Sequence, residues 1–142
     1  MISAIAFGKG DFCHLLFTGG NDRGIHIWDC HSGEMLGRIT VHKQKINALY
    51  TSDDGNYLVS VGADKVMFVW DICNQYAIIG QYHCEEECLC VTMDNQRIIC
   101  GYSSGAIRVW PMANESTSEY FENQLLCNVE DNSEPVHSFR LE

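Results

Sequence analysis

Apolar residues along this chain alternate with polar ones or run in blocks of three to five, and Gly, Asn and Asp interrupt them every eight to twelve residues. That rhythm belongs to short β-strands; no eleven-residue window keeps an apolar face at i, i+3, i+4 and i+7 free of such breakers. Between residues 46 and 81 the pattern predicts four strands: Ile46–Thr51, Tyr57–Val61, Val66–Trp70 and Tyr76–Gln81. Asp53-Asp54-Gly55-Asn56 supplies turn chemistry between the first two, and Ala63-Asp64-Lys65 between the second and third.

The pattern repeats. Gly24-Ile-His-Ile-Trp28-Asp29, Val66-Met-Phe-Val-Trp70-Asp71 and Ala106-Ile-Arg-Val-Trp110-Pro111 are three versions of one string, their tryptophans 42 and 40 residues apart. Each follows a small-residue turn (Thr18-Gly-Gly-Asn-Asp22, Ser60-Val-Gly-Ala-Asp64, Cys100-Gly-Tyr-Ser-Ser104), and each turn follows another apolar stretch. Four short antiparallel strands repeated at about 40 residues predict an all-β fold of propeller blades.

On these strings the chain resembles WD-repeat β-propeller proteins over roughly residues 2–112. The resemblance implies, in each repeat, a His before the first strand, a Ser or Thr in the second, an Asp in the next turn and a Trp in the third. The middle unit supplies His42, Ser60, Asp64 and Trp70. The first supplies Thr18, Asp22 and Trp28, with its histidine position falling upstream of Met1; the third keeps His83 and Trp110, with Cys100 and Ser104 at the polar positions. His42, Ser60 and Asp64 are also the residue types of a hydrolase triad, but Ser60 lies within a strand pattern and has no G-x-S-x-G elbow around it. The reading adopted is structural: Asp64 accepts from His42 and turn amides, and Ser60 links the histidine to the Trp70 indole. No catalytic residue and no cofactor is expected.

Three blades cannot close a ring, since propellers run from four to eight. The expectation is an open propeller, a fragment or short isoform of a longer WD-repeat protein, whose apolar flanks invite the rest of a propeller or self-association. The blades are expected at about 2–40, 41–82 and 83–112, the last taking an outer strand from a tail. That tail, 113–142, is expected to be acidic and partly disordered.

Charge sharpens the division. The 142 residues hold 9 Lys and Arg against 19 Asp and Glu, a net charge of −10. Residues 1–110 carry 12 acids and 8 bases, and 111–142 carry 7 acids against Arg140 alone. This sign argues against nucleic acid or an anionic membrane surface as partner. The longest apolar run, Val66–Trp70, is too short to span a bilayer, and Met1–Phe7 has no basic residue of the kind that opens a secretory leader. The eight cysteines are therefore expected as thiols in a reducing compartment, the cytoplasm, with the nucleus left open. His83, Cys84, Cys88 and Cys90 form the densest set of metal-ligand types, but C-x3-C-x-C lacks the paired C-x2-C spacing of a zinc knuckle. Cys88 and Cys90 are expected on one strand face, packed as small apolar thiols.

Function on such a scaffold lies in its turns. The exposed candidates are Asn21, Arg23, Lys43, Lys45, Lys65, Tyr102 and Ser103, of which the three lysines make a basic spot suited to an acidic or phosphorylated peptide. The leading expectation is a non-enzymatic scaffold or adaptor that docks other proteins. One alternative is a substrate-recognition subunit of a ubiquitin ligase complex. Another, from a different class, is a zinc-binding or redox-sensing protein using His83, Cys84, Cys88 and Cys90.

Overall fold

A computed structural model of the chain describes residues 1–111 and the strand His137–Arg140. The expected disorder of the tail concerns residues outside that range. The described residues form twelve strands in three antiparallel sheets of four. The first sheet holds β1 (Ile2–Phe7), β2 (Leu15–Gly20), β3 (Gly24–Asp29) and β4 (Met35–Thr40). The second holds β5 (Ile46–Thr51), β6 (Tyr57–Gly62), β7 (Val66–Asp71) and β8 (Ala77–His83). The third holds β9 (Cys88–Met93), β10 (Arg97–Tyr102), β11 (Ala106–Pro111) and β12 (His137–Arg140). In each sheet the strands lie in chain order, and β12 joins the outer edge of the third by pairing Ala106 with Arg140 through Val109 with His137.

Strand alternation makes each blade two-faced, and the two faces pack on different neighbours. In β6 and β7, Leu58, Phe68 and Trp70 face blade 1, forming a core with Leu15, Phe17, Ile25 and Ile27. Val59, Val61, Met67 and Val69 face blade 3, forming a second core with Ile98, Cys100, Tyr102 and Trp110. The first strands β1, β5 and β9 lie side by side, so the blades fan around one axis. The turns between second and third strands, and the links from one blade to the next, gather at one end.

Turn chemistry fixes that geometry. The residue before each third strand takes a left-handed backbone: Arg23 at φ 67°, Lys65 at φ 64° and Gly105 at φ 87°. At the opposite end Gly55 sits at φ 81°, and a Cβ there would run into the Lys9 carbonyl, so the turns of blades 1 and 2 meet closely at a glycine. Lys9 reaches across the same junction to the Thr51 carbonyl at 2.9 Å, over the Tyr50 ring and to Asp53 at 3.3 Å.

The far side of blade 1 is uncovered by the described residues. Ile5 and Phe7 are 59% and 62% exposed, whereas Leu49 and Thr51, at the same places in blade 2, are 7% and 2% exposed.

Candidate functional site

Each blade carries a tryptophan whose indole N–H is drawn into the sheet, and each gives that N–H a hydroxyl acceptor. In blade 2, Trp70 Nε1 donates to Ser60 Oγ at 3.0 Å, and His42 Nε2 lies 2.8 Å from the same oxygen. The serine hydroxyl, having accepted from the indole, donates to His42 Nε2. His42 Nδ1–H then donates to Asp64, 2.9 Å from Oδ2 and 3.1 Å from Oδ1. Asp64 also accepts from the amides of Lys43 at 2.9 Å and Val66 at 3.3 Å. Every polar atom in this chain of bonds is matched when the imidazole is neutral. Burial pushes the His42 pKa below its ordinary value, and the neighbouring Asp64 carboxylate only partly opposes that shift. Ser60 is fully buried and committed on both sides, so the triad-like trio presents no nucleophile to a substrate.

Blade 1 builds the same junction with different parts. Trp28 Nε1 donates to Thr18 Oγ1 at 2.9 Å. Asp22 accepts from the Gly24 amide at 3.4 Å and from His26 Nε2 at 2.6 Å, with Arg38 at 3.7 Å. The His26 hydrogen bond is the main reason the Asp22 carboxyl lies below its usual range. His26, from the third strand of the same blade, was not among the residues singled out from the sequence.

Blade 3 differs from expectation. The register places Cys84, four residues before β9, where His42 stands four residues before β5; His83 is the exposed last residue of β8. A thiol cannot bridge as an imidazole does, and the acceptor moves accordingly. Trp110 Nε1 donates to the Tyr102 hydroxyl at 3.2 Å, and that hydroxyl lies 3.5 Å from Cys84 Sγ. Tyr102 is therefore buried at 4% exposure, not displayed on the turn face. Cys100, at the register of Ser60, points into the core beside Met67 Sδ at 3.5 Å. Ser104, at the register of Asp64, donates to Glu86 at 2.5 Å.

The cysteines do not converge as ligands. Cys84 and Cys88 are buried and Cys90 is exposed, because the register shift between Gly101 and Tyr102 separates the two β9 thiols that strict alternation would put on one face. Burial pushes the Cys84 thiol up to about 12, opposite to the direction that makes a reactive or ligating thiolate. No group of three or more His, Cys, Asp or Glu among the described residues is placed to hold a metal ion.

Asn21, Arg23, Lys43, Lys65 and Ser103 are exposed on the turn face, and Lys45 is half-buried there. Among the described residues Lys9, Arg38, Arg97 and Arg108 each form an ion pair, whereas Arg23, Lys43, Lys45 and Lys65 form none. The acids that lead into blade 3 on that face are engaged: Glu85 with Arg108 at 3.3 Å, Glu86 with Ser104, and Glu87 with the Asn47 amide of blade 2 at 2.9 Å.

Repeated four-strand blades, each with a tryptophan–hydroxyl bond inside it, define a β-propeller class of protein. The family profile described as "WD domain, G-beta repeat" matches residues 33–71. The chain is 23% identical over 121 residues to Autophagy-related protein 16 of Arabidopsis thaliana, covering 79% of this chain and 24% of that protein. It is 33% identical over 98 residues to Cilia- and flagella-associated protein 52 of Chlamydomonas reinhardtii, covering 67% of this chain and 16% of that protein. Among solved structures it superposes on the RRP9 WD40 repeats with a TM-score of 0.69 at 19% identity, covering 77% of this chain and 33% of that one. The U3-55K structure gives a TM-score of 0.70 at 18% identity, covering 78% and 34%. The chain belongs to the WD-repeat β-propeller family. It spans about a quarter or less of the two relatives named.

Proposed function

We propose that this chain is a non-enzymatic protein-interaction scaffold whose turn face docks an acidic or phosphorylated segment of a partner protein. The observation that carries the reading is that, among the described residues, the cations without an ion pair, Arg23, Lys43, Lys45 and Lys65, share one face of a protein of net charge −10. Cations left without a counter-charge on an otherwise acidic surface are suited to meet one supplied by a partner. The buried polar network stiffens the blade from which these turns project. The buried Cys84, Cys88 and Cys100 thiols are in keeping with the reducing cytoplasm. Neither a ubiquitin-ligase receptor nor a zinc or redox protein is favoured by the relatives or by the site.

Fluorescence anisotropy with labelled Glu-rich and phosphoserine peptides tests the reading. Binding is expected to weaken with added salt and to vanish in the Lys43→Glu, Lys45→Glu double variant at unchanged thermal stability, because exposed charges are screened beyond about 8 Å at physiological ionic strength. Equal binding by the variant at high salt overturns it.

A second association is favoured by the uncovered flank of blade 1. Ile5 and Phe7 stand open at the places where blade 2 buries Leu49 and Thr51, an apolar face suited to another blade or a second copy.

A further inference from the structure

The three blades diverge at one place on their third strands. The residue two positions before each tryptophan is His26 in blade 1, Phe68 in blade 2 and Arg108 in blade 3. In blade 3, Arg108 pairs with Glu85 at 3.3 Å and lies over the Tyr102 ring, 5.0 Å from its centroid. In blade 1, His26 and Arg38 both reach Asp22. Each of these blades fills the place with its own opposite charges. Blade 2 does not: Phe68 sets its ring edge-on against His42 at 4.9 Å, and the position of Glu85, three residues before the first strand, is taken by Lys43.

A groove of about 330 Å³ results. Val41, Val66, Phe68 and Ile78 give it apolar lining, and Lys43, Gln81 and His83 line it too. Ile78 and Val41 are 45% and 37% exposed, apolar surface that blade packing leaves uncovered. The carboxylate that also lines the groove, Asp64, has its oxygens taken up by His42 and by the amides of Lys43 and Val66. What the groove offers is an apolar pit with a cation beside it. The volume suits one large side chain, being at the lower end of the few hundred Å³ that hold a small ligand.

We infer that this blade 2 groove is a specificity pocket: it takes one aliphatic or aromatic side chain of a bound peptide, whose adjacent Asp or Glu carboxylate pairs with Lys43. The partner segment supplies in trans the anion that Glu85 and Asp22 supply within blades 3 and 1. The inference rests on the docking role proposed above and adds to it the requirement for an apolar anchor. An acidic segment lacking such a residue meets the basic turns but leaves the pit empty.

Labelled peptides of Glu, Asp, Ser and Gly with a single central Leu, and the same peptides with Gly in its place, separate the two ideas. The Leu peptide is expected to bind about tenfold tighter or more, as burial of one such side chain warrants. The Val41→Gln, Ile78→Gln double variant should reduce the Leu peptide to the affinity of the Gly peptide and leave the latter unchanged. Both positions are exposed, and Ile78→Ala provides a milder variant should the double substitution lower thermal stability. Equal affinity of the two peptides for the unaltered chain overturns the pocket while leaving the basic docking face standing, as does a preference for Leu that survives both variants. Binding of a phosphoserine peptide with none of the carboxylate peptides overturns the carboxylate assignment. Absence of binding by every acidic peptide overturns the docking role and the pocket together.

Discussion

Replacing Asp64 by Ala is the sharpest test of how blade 2 is held. Its side chain is 6% exposed and that of its partner His42 is 1% exposed, so water cannot take the place of the lost oxygens at the imidazole. The substitution strands the His42 Nδ1–H, a buried donor whose desolvation costs about 1–3 kcal/mol. The Lys43 amide is exposed and regains a partner from solvent, while the Val66 amide bond is long at 3.3 Å, so these two add little. An untethered imidazole also loosens its grip on Ser60, which holds the Trp70 N–H. The expected loss is about 2–4 kcal/mol, carried mainly by His42. In urea, with slopes of roughly 1–3 kcal/mol per molar, the midpoint should fall by on the order of 1–2 M. Asp64→Asn, which keeps one carbonyl acceptor, should fall between. Asp22→Ala should do less, because Asp22 is half exposed and its partner His26 can turn to water. Lys65→Ala is the control, a turn residue of the same blade with its side chain outside the network. Coincident midpoints for Asp64→Ala and Lys65→Ala would refute the reasoning, since they would show the network contributing nothing measurable.

Three further outcomes follow from the geometry. Because burial lowers the pKa of His42 in the fold, protons bind the unfolded chain more readily; its contribution to stability is complete above about pH 6.5 and is lost as pH falls below that value, a slope that His42→Asn should flatten in denaturation at pH 7.5 and 5. Tyr102→Phe should cost about 1–3 kcal/mol by leaving the Trp110 N–H without an acceptor, while Thr18→Val should cost less because Trp28 is only half-buried; urea midpoints rank the two. Phe7→Lys combined with Ile5→Lys should reduce concentration-dependent light scattering without lowering the thermal midpoint, and scattering unchanged by the substitutions would show that this flank does not associate.

The fold was legible because its signals are local and redundant. The Trp28, Trp70 and Trp110 spacing, the period-two strands and the turns at Asp22 and Asp64 all point to the same four-stranded unit, and the observed strands of blade 2 begin within one residue of those expected. The complete network of blade 2 was legible for the same reason. Blade 3 was harder because its histidine lies one residue from the register: His83 attracts the eye, but counting four residues back from Cys88 reaches Cys84. The polar turn around Tyr102 predicts a surface residue, and only three-dimensional packing shows its hydroxyl aimed at Trp110. The groove was invisible for a deeper reason. Val41, Phe68 and Ile78 come from a linker and two strands, and no sequence spacing announces that Phe68 stands where neighbouring blades place a charged or titratable group.

What the blades share is a role rather than a residue. Thr18, Ser60 and Tyr102 come from two different sequence positions and bear three different side chains, yet each gives a tryptophan N–H the oxygen it needs. The physical demand is satisfaction of one buried donor, and any hydroxyl that reaches it will serve. Once that demand is met, the residues beyond the network are free to diverge, and they do so on the turn face and the outer groove. Blades 1 and 3 hold internal ion pairs, Asp22 with Arg38 and Glu85 with Arg108, whereas blade 2, which has the most complete internal network, leaves Lys43 without one beside apolar lining residues. On the proposed reading, the blade anchored best within the sheet is the one that offers the most to a partner, as expected where a rigid scaffold holds an exposed recognition element in place before binding.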